Sequence, residues 1–301
     1  INDKVVQAQE TTMKGYRNIA LFGVDSTSGA LTKNTRSDTI MIASINQDTG
    51  ECKLVSVYRD TYLNLSNDSY NKCNAAYAKG GPEMAISMLN MNLDMNITDF
   101  VTVGFAGLTD TIDALGGVYI DVDDSEISHL NNYQLCIAED LKRTYTPVSS
   151  TGYQLLDGLQ ATGYCRIRYT AGDDFKRAER QREVLAAVAD QAKKASLPKL
   201  TETANSVFNE TYTSLDLTEI IEMLGNVGSY YISDTAGFPQ ESNRATGTIG
   251  SKGSCVIPMN LEDNVKWLHQ FLFNDYEYEP SATVKECSEK IYSDTNGYLK
   301  K

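Results

Sequence analysis

Apolar and polar positions alternate in short runs through the first sixty or so residues. Asn18–Val24 (NIALFGV) is apolar and leads into a polar loop rich in Ser, Thr and Gly. Thr39–Ile45 is a second run, QDTGE makes a turn, and Lys53–Tyr58 is a third run with alternating character. Short connections between such runs predict an antiparallel meander. If the first two strands are antiparallel, the end of one lies beside the start of the next, and the third finishes at the same edge. Asp25, Arg36, Asp38, Arg59 and Asp60 then gather on one rim, and strand ends are where α/β sheets tend to place ligands.

The period changes further along. Pro82, after Gly80-Gly81, opens a helix through Met84, Met88 and Leu89. Phe100–Gly104 reads as a strand, and Phe105–Leu115 as a helix with Leu108, Ile112 and Leu115 on one face, stopped by Gly116-Gly117. Val118–Val122 resumes as a strand. Residues 123–150 are polar and read as a long loop. Gln154–Tyr164 predicts a short helix, and Asp174 to about Lys194 a long one whose acidic start complements its dipole. From Leu261 onward the pattern predicts two more amphipathic helices. Alternating strands and helices imply an α/β layered fold. No repeat or clean linker interrupts the chain, so residues 15–301 read as one domain, preceded by a polar stalk over residues 1–14.

Composition narrows the function classes. The chain has 301 residues, 41% of them hydrophobic, enough for a substantial core. Its net charge of −13 argues against nucleic-acid binding, which draws on a basic field. The six cysteines stand singly, without a CxxC pair, and His129 and His269 lie far apart, so the sequence offers no zinc motif. A GxSxG nucleophile elbow and a P-loop are also missing. No apolar run reaches the length of a membrane span.

Against this acidic background, five of the ten arginines (Arg166, Arg168, Arg177, Arg180 and Arg182) fall within one short segment. Arg166 and Arg168, two apart, share a face if the segment is extended, and Asp174, Arg177 and Gln181 share one helix face. Guanidinium groups converging from a strand and a helix suit a ligand with adjacent phosphates, because each planar fork grips oxygens bidentately. The alternative is a solvated, salt-bridged helix surface. Asp25 and Asp38 are suited either to a hard cation such as Mg²⁺, bridged to phosphates, or to capping loops at strand ends.

The order FGVDS, TRSDTIMIASI, SVYRDT, NKCNAAYAKGG, DTIDALGGVYIDV and YCRIRYTAGDDFKRAERQ resembles the LytR–CpsA–Psr family of bacterial cell-wall enzymes, from about Asn18 to about Lys194. The later segment MNLEDNVKWLHQFLF is also similar to the family. Several separated motifs in one order are far more specific than any single one.

The resemblance implies a three-layer α-β-α sandwich with a mixed central sheet and a small antiparallel meander. It implies an extracytoplasmic, Mg²⁺-dependent phosphotransferase, held by an N-terminal membrane helix upstream of the stalk. Such an enzyme moves a glycopolymer from a polyprenyl-diphosphate carrier to peptidoglycan; a lipid-binding regulatory module and a diphosphohydrolase are the alternatives. Asp25 and Asp38 become the metal-facing carboxylates. Arg36, Arg59, Arg166, Arg168, Arg177 and Gln181 become the diphosphate ligands, with Lys72, Asp60 and Asp174 in support. Asp38, Arg59, Arg168 and Arg177 are then expected to carry the chemistry, with Asp38 or Asp60 as base.

An extracytoplasmic address also makes disulfides plausible, with Cys52–Cys73 and Cys255–Cys287 as candidates among fifteen connectivities. The family's lipid tunnel would place Leu108, Ile112, Leu115, Leu185 and Val188 along it; from periodicity alone they are core. Three positions depart from the family pattern: Tyr58 for proline, Cys73 for an aliphatic residue, and Gly163 for a larger apolar one. None removes a charge.

Overall fold

The computed structural model describes residues 1–26, 31, 32, 34–169 and 173–299. The chain begins with α1 (Asp3–Ala8), β1 (Tyr16–Val24), β2 (Ser37–Asn46), β3 (Glu51–Val57), β4 (Tyr62–Asn64), β5 (Tyr70–Lys72) and α2 (Ala75–Leu93). Then come β6 (Asp99–Val103), α3 (Phe105–Ala114), β7 (Val118–Val122), α4 (Asp124–Leu141), β8 (Gly152–Leu156), α5 (Gly158–Arg166) and α6 (Asp173–Lys194). The remainder is α7 (Leu197–Val207), β9 (Thr211–Thr213), α8 (Leu217–Gly225), β10 (Tyr231–Phe238), β11 (Arg244–Thr248), β12 (Ser254–Pro258), α9 (Leu261–Phe273) and α10 (Ala282–Thr295). The main sheet has six strands in the order β10-β3-β2-β1-β6-β9, with two-stranded sheets β4·β5, β7·β8 and β11·β12 beside it. This is the α/β class the strand–helix alternation implies. The part of the polar loop after Val24 that spans residues 27–30 lies outside the described residues.

The chain divides into two compact units: Ile1–Phe22, Thr32–Phe100 and Ile232–Lys301 make the first, Gly23–Leu31 and Val101–Tyr231 the second. In the first, β2 and β3 pair antiparallel, Met41 opposite Ser56 and Ile45 opposite Cys52. Their turn is closed by Asn46, whose Oδ1 accepts from the amides of Asp48 and Thr49. Gly50 sits there at φ 80, a conformation glycine adopts without steric cost.

Within α2 the backbone breaks at Gly81 (φ 68, ψ −160) and resumes at Pro82, where the sequence predicts a helix start. The two expected C-terminal helices, α9 and α10, both pack against α2. Residues 1–14, read as a stalk, hold α1 and bury Val5 and Met13. Asn2 donates to the Asp94 carboxylate at 2.7 Å. His269 is buried core, stacked on Tyr278 with 3.7 Å between ring centroids and bonded through Nε2 to the Leu93 carbonyl.

In the second unit Ile112, Val118, Ile120, Val122, Leu130, Leu156, Tyr164 and Val184 form a buried cluster, with Leu108 and Val188 packed against it. Two sequence expectations fail here. The stretch read as a loop from 123 holds the helix α4, whose buried positions Glu126, Leu130, Gln134, Ile137 and Ala138 follow helical spacing. Two of those five are polar, which hid the apolar period. The Asp123–Glu126 capping box marks its start. In addition, β8 precedes α5, and Arg166 ends that helix. Arg166 and Arg168 therefore do not share the face of an extended strand. Gly163 lets α5 lie close to α4, since a Cβ there would meet the Leu130 carbonyl at 2.9 Å.

None of the six cysteines is in a disulfide, so both candidate pairings fail. Cys136 is exposed and the other five are buried. Burial, with the Glu183 charge nearby, pushes the Cys165 thiol up to about 12. Alkylation of the native protein is expected to label Cys136 first, and all six only after denaturation without reductant. Intact mass checks this: fewer than six adducts on the denatured chain would reveal a disulfide.

Candidate functional site

The β2–β3 register builds the first group of charges. Continuing the pairing of Met41 with Ser56 by three residues sets Asp38 opposite Arg59. Their side chains meet there, Arg59 Nη1 donating to Asp38 Oδ1 at 2.6 Å. The turn carrying Arg59 is fixed at each carbonyl. Thr61 donates to Tyr58 O through N and Oγ1, Asn74 N donates to Arg59 O, and Val256 N donates to Asp60 O. Cys73, one of the departures, donates its buried Sγ to Tyr58 O at 3.2 Å and Arg59 O at 3.4 Å, bonds an aliphatic side chain lacks. Tyr58, another departure, packs over Gly237, where a Cβ would stand 1.8 Å from its Oη. Its ring lies 5.0 Å from the Arg244 guanidinium carbon. Lys72, on β5, holds Asp60 at 3.6 Å. Arg36 is exposed just ahead of β2. Within this unit the structure brings together Asp38 with Arg59, two of the five residues expected on the rim, and separately Asp60 with Lys72.

The second unit carries the other charges. Arg166 at the end of α5 reaches Asp25 at 3.4 Å. Its guanidinium carbon lies 4.6 Å from the centroid of Phe105 and 5.3 Å from that of Tyr133. Two aromatic faces and a carboxylate therefore set its direction. On α6, Arg177 pairs with Asp174 at 2.8 Å, the i,i+3 contact the helical spacing anticipates. Gln181 Nε2 donates to the Cys165 carbonyl at 3.4 Å, so this end of the side chain holds backbone. Arg168 is half-buried in the turn after α5.

Sequence reading missed several partners. Phe105 and Tyr133 carry no charge and no motif singles them out. Asp110 on α3 takes a two-pronged hydrogen bond from Arg143, at 2.6 and 3.3 Å. Burial first, and then the neighbouring Asp110, push the Glu210 carboxyl from its ordinary 4.5 up to about 7. A carboxyl raised on folding binds its proton more tightly in the native state. Its stabilising effect is full below about pH 4.5 and is lost as pH rises through about 7. Glu210→Gln is expected to flatten the pH dependence of Tm across that window; an unchanged profile would show that Glu210 does not titrate there.

The family model described as the LytR_cpsA_psr family matches residues 2–249. The chain belongs to the LytR_cpsA_psr family. It is 30% identical over 217 residues to the polyisoprenyl-teichoic acid–peptidoglycan teichoic acid transferase TagU of Oceanobacillus iheyensis, covering 69% of this chain and 62% of that protein. It is 27% identical over 304 residues to biofilm regulatory protein A of Streptococcus mutans, covering 89% of this chain and 72% of that one. The solved structure of the LytR-CPS2A-psr family protein YwtF (TagT) with bound octaprenyl pyrophosphate lipid has the same fold, with a TM-score of 0.61 at 23% identity over 87% of this chain and 92% of that one.

Mg²⁺ bound at substrate phosphates takes one or two protein carboxylates and keeps several waters. Asp25 and Asp38 are hard oxygen donors of that kind. Among the described residues no group of three or more His, Cys, Asp or Glu could hold a metal. Asp38 belongs to the first unit, where it pairs with Arg59, and Asp25 to the second, where it pairs with Arg166. Among the described residues no helix is long and apolar enough to cross a membrane.

Proposed function

We propose that this chain is the catalytic part of an extracytoplasmic phosphotransferase that moves a glycopolymer from a polyprenyl-diphosphate carrier to peptidoglycan. The observation that carries the reading is the set of held arginines. Arg59 is fixed on Asp38, Arg166 on Asp25 and two rings, and Arg177 on Asp174, in a chain whose net charge is −13. Arginines oriented before the ligand arrives stabilise phosphoryl charge without reorganising during reaction. Support also comes from the transferase name of the Oceanobacillus relative and the bound lipid of the YwtF structure.

In this reading Arg36, Arg59, Arg166, Arg168 and Arg177 hold the diphosphate. The acceptor hydroxyl attacks the phosphorus bearing the glycan. A new P–O bond forms to the acceptor, the phosphoanhydride P–O bond breaks, and polyprenyl phosphate leaves with the electron pair. Asp38 or Asp60 takes the hydroxyl proton. Asp25 and Asp38 would hold Mg²⁺, which neutralises phosphoryl charge when bound.

The test incubates the protein with a lipid-diphosphate-linked glycan, with and without peptidoglycan and Mg²⁺. The expected result is glycan on peptidoglycan plus polyprenyl phosphate, dependent on both additions. Binding without product would favour the regulatory role named for the Streptococcus relative, and free glycan phosphate would make the protein a hydrolase.

A further inference from the structure

The second unit contains a buried ion pair that the proposed chemistry does not use. Arg180 on α6 and Glu126 on α4 are 1% and 2% exposed. Arg180 Nε donates to Glu126 Oε2 at 2.5 Å, and its Nη1 donates to the Ile167 carbonyl at 3.0 Å. Glu126 is itself held, since its Oε1 accepts from the Asp123 amide at 3.0 Å in the α4 capping box. The Arg180 guanidinium also lies 5.9 Å from the ring centroid of Tyr164, whose hydroxyl donates to Glu183.

Burying a charge pair is costly, and an apolar pair of similar volume often serves stability as well or better. What an apolar pair cannot do is donate to a carbonyl. The carbonyl in question belongs to Ile167, the residue flanked by Arg166 and Arg168. Two residues earlier, the Cys165 carbonyl accepts from Gln181, also on α6. The turn carrying the two arginines is thus pinned at successive alternate carbonyls by side chains of one helix.

We infer that Glu126 and Arg180 are positioning residues: the pair fixes the Ile167 carbonyl and thereby aims Arg166 and Arg168. Its consequence for ligand binding rests on the proposed function; the tether itself does not. Glu126 holds the guanidinium in the rotamer that reaches Ile167, and Arg180 transmits the position of the α4 start to the turn after α5. An Arg180→Lys change would keep the charge but lose the fork that serves both partners at once.

The experiment compares wild type, Arg180→Met, and the double variant Glu126→Leu/Arg180→Met in three measurements. These are Tm, hydrogen–deuterium exchange over residues 165–169, and affinity for octaprenyl diphosphate. The single variant strands a buried carboxylate and is expected to lower Tm. The double variant is expected to recover Tm while exchange over 165–169 rises, and affinity falls, roughly tenfold or more, as for the loss of a charge-assisted hydrogen bond. Recovery of all three in the double variant would reduce the pair to a structural role and overturn the inference. Should wild type fail to bind the probe, the ligand reading falls, and the exchange arm still decides the tether. Glu126→Gln, which keeps the side chain's shape, serves if the double variant does not fold; wild-type exchange at residues 165–169 in that variant would likewise overturn the inference.

Discussion

Replacing Arg59 by alanine is expected to lower the rate of glycan transfer by roughly 10²–10³-fold, the usual effect of removing one preorganised donor to developing charge. Arg59 holds Asp38 at 2.6 Å with a side chain only 16% exposed, and its turn is bonded at Tyr58, Arg59 and Asp60 carbonyls. Those backbone bonds survive the substitution. Asp38 is 27% exposed and regains solvent, so the fold is expected to change little. Arg168→Ala is expected to act similarly. Kinetics under saturating acceptor, together with a thermal melt, check both variants. Wild-type turnover in both would remove these arginines from the chemistry, and a collapsed melt would reassign Arg59 to structure.

The largest stability effect is expected far from any proposed chemistry, at Asp94. This carboxylate is fully buried and ends α2 in the left-handed conformation at φ 50. It accepts from Tyr278 Oη at 2.8 Å, Ser281 N at 2.8 Å, Ser281 Oγ at 2.6 Å and Asn2 Nδ2 at 2.7 Å. One side chain thereby ties residue 2, the end of α2 and the start of α10. Asp94→Ala leaves these donors without their acceptor, at about 1–3 kcal/mol for each buried one. Asn2 can turn to the carbonyls of Asn90 and Met91, which it already approaches. The net loss is therefore about 3–5 kcal/mol, a fall in Tm of roughly 10 °C. Calorimetry reads it directly. A shift of less than about 2 °C would mean these donors find water or other acceptors when the carboxylate is gone.

The Asp38–Arg59 pair was legible because β-pairing has a simple rule. Two alternating runs joined by QDTGE align in one antiparallel register, and that register puts Asp38 beside Arg59 without further assumptions. Asp174 and Arg177 were legible for the same kind of reason, since three residues apart on a helix makes them neighbours. Both cases rest on local periodicity.

The misses share a cause as well. Glu126 and Gln134 occupy buried positions of α4, and charged or polar residues in a core erase the pattern that sequence reading uses. Without α4, the sequence offers Arg180 no visible partner. The strand expected at Arg166 came from the two-residue spacing of arginines, but α5 continues to Arg166 and ends there. Phe105 and Tyr133 meet Arg166 across 61 and 33 residues of chain, contacts no local pattern encodes. Cysteine spacing was equally mute, because burial alone explains five of the six thiols.

The central claim is that arginines on this acidic chain recognise two linked phosphoryl groups at the end of a lipid. Equilibrium binding of octaprenyl diphosphate against octaprenyl monophosphate, in wild type, Arg59→Ala and Arg177→Ala, tests it most directly. The account predicts at least roughly tenfold tighter binding of the diphosphate by wild type, with that preference lost in each variant. Equal affinity for the two lipids, or a preference unchanged by both substitutions, would contradict it.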